Sequence, residues 1–98
     1  MQSTPYFVYI LKTGAGLYYT GIAKDIESRL AQHRAGCGAK FTKGRGPLKL
    51  VYVEEVGDLK SAMRRERRVK GLPRQKKKTL IQEFARRTRH GMFRTTQT

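Results

Sequence analysis

Five side chains have types and spacings that suit phosphoryl chemistry: Tyr9, Tyr19, Arg29, His33 and Glu66. Arg29 and His33 stand four residues apart, so on a helix they address one target. They border a stripe formed by Ile26 and Leu30, from which they can lean toward a packed sheet. The plainer alternative is that Arg29 covers the edge of the core and His33 fills a gap in it. Glu66 falls seven residues after Leu59, about 20° from it on a helical wheel, in line with Ala62, Met63 and Val69. It is a lone carboxylate among Arg64, Arg65, Arg67 and Arg68. A carboxylate on a core-facing stripe is costly unless partnered. That partner is either an arginine such as Arg29 or a hard divalent cation, which prefers oxygen ligands. Tyr9 and Tyr19 fall in segments patterned as paired strands, whose side chains can converge on one face. A phenol can hold or activate a water, a guanidinium can stabilise phosphate charge, and a carboxylate can hold a metal. Together they make a kit for metal-assisted phosphodiester hydrolysis.

The elements that must position these groups are legible in the pattern. Tyr6 to Lys12 is aromatic and β-branched, and apolar on both alternating faces, which predicts a central strand. Gly14-Ala15-Gly16 supplies a tight connection to a second strand over Leu17 to Ile22. Gly21 near its end marks a bulge or the close approach of another group. Asp25 caps a helix running to about Ala35, with Gly36 as its stop. The segment from Gly36 to Pro47 is glycine-rich and basic, hence a loop. Leu48 to Val56 is a third strand, Asp58 caps a second helix through Lys70, and Gly71 ends it. Pro73 opens a third helix that packs through Leu80, Ile81 and Phe84. The order β-β-α-β-α-α describes a small α+β layer fold, a hairpin plus a third strand covered by helices. Residues 1–87 form the expected domain, and 88–98 a basic, flexible tail.

Composition narrows the partners. The chain has 98 residues and a net charge of +15, with 22 Lys+Arg against 7 Asp+Glu. Residues 1–59 carry a net of +3 and residues 60–98 a net of +12. Such an excess needs a polyanion, and nucleic acid is the first candidate. No apolar run approaches the roughly 18 residues of a membrane span, and no secretory signal pattern opens the chain. The single cysteine, Cys37, has no disulfide partner within the chain, and one Cys with two His argues against structural zinc. The expectation is a reduced, cytoplasmic domain. No role is assigned to Cys37 or His90, and the composition leaves the oligomeric state open.

The ordered set Val8-Tyr9-Ile10, Tyr19-Thr20-Gly21, Arg29, His33 and Glu66 resembles the GIY-YIG nuclease superfamily. It is most similar to the small stand-alone bacterial members, the YhbQ-like branch, and the resemblance covers roughly Thr4 to Arg87. The shared-looking stretches are FVYIL, YTGIAKDIESRLAQH, GAKFTKGRGPLKLVY and SAMRRERRVKGL. The triplets here read VYI and YTG, keeping the two tyrosines and the final glycine. The chain has no asparagine, which larger members often place near the active site, and no room for a separate DNA-targeting domain.

The resemblance implies a three-stranded antiparallel sheet flanked by helices. It implies Tyr9 as general base or orienter of the attacking water, and Tyr19 as a group positioning the water or scissile phosphate. Gly21 lets backbone and substrate approach, Arg29 stabilises the pentacovalent phosphate, and His33 sits near the nucleophile. Glu66 matches the glutamate that binds one Mg²⁺, or Mn²⁺ in its place. Lys40, Lys43 and Arg45 of the glycine-rich loop, with Lys70, Arg74, Lys76 and Lys77, are the expected substrate contacts or, equally, a solvated basic surface. The leading expectation is therefore a metal-dependent endonuclease acting on DNA rather than RNA, in repair or processing. The alternative is a nucleic-acid-binding module that cuts poorly or not at all. A ribosome-associated basic protein, with RNA preference and no metal effect, ranks last.

Overall fold

The computed structural model describes residues 5–36 and 46–89. Strand β1 (Tyr6–Thr13) is central in a three-stranded antiparallel sheet, between β2 (Tyr18–Ala23) and β3 (Leu48–Val56). Helix α1 (Ile26–Arg34) follows β2, while α2 (Leu59–Lys70) and α3 (Arg74–Arg89) follow β3. The order is β-β-α-β-α-α in an α+β fold, as the pattern predicts. The central place of β1 explains its double apolar face, since Val8, Tyr9, Ile10 and Leu11 are all buried. The hairpin closes where the Gly16 N–H donates to the Thr13 carbonyl and the Thr13 N–H to the Leu17 carbonyl, both at 2.9 Å. Gly16 takes φ +86°, a conformation that side chains disfavour. The two hairpin strands differ by one residue from the expected limits, with β1 reaching Thr13 and β2 running Tyr18–Ala23, while β3 matches at both ends.

Helix starts follow their caps. The Asp25 carboxylate accepts from the Ser28 N–H at 3.2 Å, and the Asp58 carboxylate from the Ser61 N–H at 2.8 Å. The same Ser61 hydrogen bonds hold the Asp58 carboxyl below the usual carboxylate range. Helix α3 begins one residue after Pro73, whose carbonyl accepts from the N–H groups of Lys76 and Lys77. It continues through Thr88 and Arg89, past residue 87. The Arg74 guanidinium ties its first turn to the hairpin, donating to the Gly16 carbonyl at 2.9 Å and lying 4.5 Å from the centre of the Tyr18 ring.

Tyr52 pairs with Ile10 and Glu54 with Val8, so these side chains share one sheet face. Tyr52 meets Phe84 of α3 ring to ring at 5.7 Å, and Arg65 of α2 reaches Glu54 at 2.9 Å, so both helices cover that face. Helix α2 buries Ala62 and Val69, whereas Leu59 and Met63 are 44% and 46% exposed. The expected four-residue stripe is thus only the i,i+7 pair, because Leu59 and Met63 lie about 60° and 100° to one side of Ala62. Arg65 lies about 60° to the other side, toward β3. The flank of Leu59, Met63 and Glu66 therefore turns away from β3, toward the edge strand β2.

Candidate active site

Tyr9 and Tyr19 meet because of strand register. Tyr9 pairs with Gly21 and Tyr19 with Leu11, so the two tyrosines are diagonal neighbours on one face. Their ring centroids are 6.3 Å apart. Helix α1 lowers His33 onto this pair, with centroids 6.0 Å from Tyr9 and 5.2 Å from Tyr19, both edge to face. The Tyr9 hydroxyl and His33 Nε2 are 2.9 Å apart. Both residues are 2% exposed, so the hydrogen bond is shielded from bulk water.

Gly21 makes this arrangement possible. A Cβ at that position would stand 2.6 Å from the Tyr9 hydroxyl oxygen and 2.8 Å from its Cζ. The close approach expected at Gly21 is thus made by the Tyr9 phenol itself.

The electrostatics assign protons. Burial pushes the Tyr9 phenol up to about 12, against a lowering by its hydrogen bond to Arg29, so Tyr9 stays protonated through neutral pH. Burial, then the Arg29 charge, lowers the His33 pKa and favours neutral imidazole. A protonated phenol facing a neutral imidazole donates, so Nε2 is the acceptor and the ring proton sits on Nδ1. Hydrogen bonding to Tyr9 holds the Arg29 guanidinium above its ordinary value, and Arg29 also hydrogen-bonds Tyr19. Arg29 Nη1 donates to Gln32 Oε1 at 2.8 Å, which braces the guanidinium along α1.

Glu66 lies on the outer flank of α2, near enough for its charge to act on Tyr9. It is less deeply buried than its place on the core-facing stripe predicts, and its protein partner is a lysine of the same helix rather than Arg29. Its side chain is 23% exposed, and Oε2 meets Lys70 Nζ at 3.2 Å in an i,i+4 pair. Position i+4 lies at the rim of the stripe rather than beneath it, so lysine can reach over from the same helix. A carboxylate at that depth keeps lone pairs available to a hard cation. Among the described residues no three His, Cys, Asp or Glu side chains cluster to hold a metal. The donor set therefore fits an ion held by one carboxylate, with phosphate and water completing its shell, as Mg²⁺ commonly is.

The expected substrate contacts divide. Lys40, Lys43 and Arg45 lie outside the described residues, as do Cys37 and His90. Lys70 is engaged by Glu66, and Arg74 by Gly16 and Tyr18. Lys76 is exposed and Lys77 half-buried at the start of α3.

Sequence reasoning missed a second polar cluster, on the opposite sheet face. The Tyr52 hydroxyl donates to Glu54 Oε1 at 2.5 Å, and Arg65 Nε donates to the same oxygen at 2.9 Å. Burial and then the Glu54 carboxylate raise the Tyr52 pKa. Burial opposes the Arg65 charge, but hydrogen bonds to Glu54 and Tyr52 outweigh it and raise the guanidinium. Tyr52, Glu54 and Arg65 line an open cavity of about 510 Å³ with Leu80 and Phe84. The available signal was Glu54 two residues after Tyr52, a carboxylate on the inward face of β3 that needed a cation.

Known proteins place this geometry in context. Residues 5–79 match the family model described as the GIY-YIG catalytic domain. A UPF0213 protein of Yersinia pestis (strain Pestoides F) is 46% identical over 81 residues, covering 83% of this chain and 85% of that protein. The solution NMR structure of a UPF0213 protein from Bacillus halodurans superposes with a TM-score of 0.52 at 42% identity, over 80% of this chain and 83% of that one. An E. faecalis protein, also solved by NMR, gives a TM-score of 0.57 at 25% identity, over 99% of this chain and 98% of that one. The chain belongs to the GIY-YIG nuclease superfamily, in its small YhbQ-like branch of UPF0213 proteins.

Proposed function

We propose that the protein is a metal-dependent endonuclease that hydrolyses phosphodiester bonds in DNA. The observation that carries this reading is the buried 2.9 Å contact between the Tyr9 hydroxyl and His33 Nε2 beside Arg29. Tyr9 is too weak an acid to serve as a standing phenolate near pH 7. It acts as a relay, its oxygen taking a proton from the attacking water while its own proton passes to His33 Nε2. Arg29 then faces a phosphate gaining negative charge and a His33 turning cationic. Its attraction to the phosphate stabilises the transition state, and the bond from phosphorus to the leaving oxygen breaks with that oxygen taking a proton from water. Its repulsion of the cationic ring sends the imidazole proton back through the Tyr9 hydroxyl to water, which resets the relay. Tyr19 orients water or phosphate from the neighbouring strand. Glu66 would hold the divalent ion, Mg²⁺ or Mn²⁺, which supplies Lewis-acid charge to phosphate oxygens when bound.

The Lys70 contact favours one alternative, a nucleic-acid-binding module in which Glu66 is only an ion-pair partner. Cleavage of labelled linear, nicked, flapped and four-way-junction DNA, and of RNA, separates the readings. Each is run at low salt with Mg²⁺, Mn²⁺ or EDTA, beside a folded Glu66→Ala variant. The expected result is metal-dependent cutting that the variant loses. Binding without cutting on every substrate would reject the nuclease and leave the module.

A further inference from the structure

Helix α2 carries an apolar pair on the flank that bears Glu66. Leu59 and Met63 are 44% and 46% exposed, four residues apart and therefore adjacent on the helix surface. Met63 lies three residues before Glu66, and Leu59 about 20° from it on the wheel. Single exposed leucines need no explanation, but a contiguous apolar ridge against a charged site does. Cations flank it on the exposed part of the same helix: Arg67 and Lys60 lie about 40° and 60° beyond Met63 on the wheel, and Lys70 falls between Leu59 and Met63 in projection. A stripe of positive charge with apolar side chains inside it suits a strand whose phosphates meet the cations while its bases meet the ridge. Paired bases keep their faces stacked within the duplex, so an aliphatic side chain reaches a base face only where a base is unpaired or a step is opened.

We infer that Leu59 and Met63 form a base-contacting ridge beside Glu66, which directs the site to nucleic acid carrying unpaired nucleotides next to the scissile phosphate. This rests on the nucleic-acid reading above and adds a specificity to it. The ridge makes no contribution to the proton relay. It sets which strand lies beside Glu66.

The test measures binding in EDTA, where no cutting is required. Fluorescent duplex DNA and the same duplex with a short gap are titrated with the wild-type protein. The Leu59→Ala/Met63→Ala double variant, a Leu59→Met/Met63→Leu swap and a Leu17→Ala control follow. Leu17 is a comparably exposed leucine in the hairpin turn, at 37%. All are first matched by circular dichroism and melting temperature. The wild type is expected to prefer gapped DNA by about fivefold, the worth of a modest apolar contact. The double alanine variant loses that preference with duplex affinity unchanged, and the swap and the Leu17 control keep it. A preference that survives in the double variant overturns the inference, as does a wild type that binds both DNAs equally. Self-association abolished by the double variant would also overturn it, giving the ridge to a second copy of the chain. Failure to bind either DNA would instead reject the nucleic-acid reading itself.

Discussion

Two buried tyrosines on opposite faces of the same sheet show how partners decide what a phenol does. Tyr52 donates to a carboxylate that is already neutralised by Arg65, so its proton has a fixed acceptor and the charges cancel locally. Tyr9 faces an imidazole instead, with a guanidinium on its oxygen side. An imidazole can take a proton at modest cost and release it again, whereas a carboxylate ion-paired to arginine is a poor base. The two sites share residue type, burial and strand setting. One is a closed brace between β3 and α2, and the other is poised to move a proton.

The sharpest way to break this contrast is to remove each hydroxyl. Tyr9→Phe takes away the relay and should lower kcat/KM by about a hundredfold to ten-thousandfold, with His33→Gln similar. Tyr52→Phe should leave cleavage within about twofold and cost stability of about 1.5–3 kcal/mol, one hydrogen bond to a charged group. Single-turnover cleavage rates and urea midpoints on the three variants read both quantities. Equal loss of activity at Tyr9 and Tyr52 would abolish the distinction.

A smaller loss is expected from moving the Tyr9 phenol without deleting it. Gly21→Ala forces its new methyl against the phenol oxygen, whose position cannot be kept at 2.6 Å. A displacement near 1 Å in a catalytic group costs up to about a hundredfold in rate. Gly57→Ala is the matched control, since a Cβ there meets nothing within 4 Å. Rates for the pair, normalised to folded protein, test whether Gly21 matters for Tyr9 rather than for chain flexibility.

Much of this frame was legible in the sequence, because local chemistry fixed it. Asp25 and Asp58 announced two helix starts, Leu48–Val56 carried its strand pattern to both ends, and the doubly apolar β1 could only be central. The meeting of Tyr9, Tyr19 and His33 followed from the hairpin register and one helix face. Errors arose where a side chain found a partner that periodicity does not encode. Glu66 reads as buried until Lys70, one turn on, is allowed to reach it. Leu59 and Met63 read as core because they are apolar, but they lie about 60° and 100° round α2 from Ala62, off the arc on which Ala62 and Val69 are buried. The Tyr52–Glu54–Arg65 brace was hidden because its members belong to two elements joined only in the folded state.

The smallest predicted effect, and the one that isolates the imidazole, is in acid. The His33 pKa is lowered on folding, so the folded state favours the neutral ring. Stability supplied by that preference is complete above the ordinary value of about 6.5 and declines as pH falls from there toward the folded pKa. Cleavage depends on the folded protein's own titration, so its acid limb should set in at a lower pH than the first loss of stability. Tyr9 gives no such signal, because its folded pKa near 12 affects stability only above about pH 10. Tyr52, also raised, behaves alike in alkali, so the alkaline side does not tell the two phenols apart. Melting temperatures from pH 7.5 to 5 should show a shallow fall in the wild type and in Tyr52→Phe. In His33→Gln that fall should shrink, since the titrating ring is gone. A fall of unchanged size in His33→Gln would move the acid sensitivity away from the Tyr9 site.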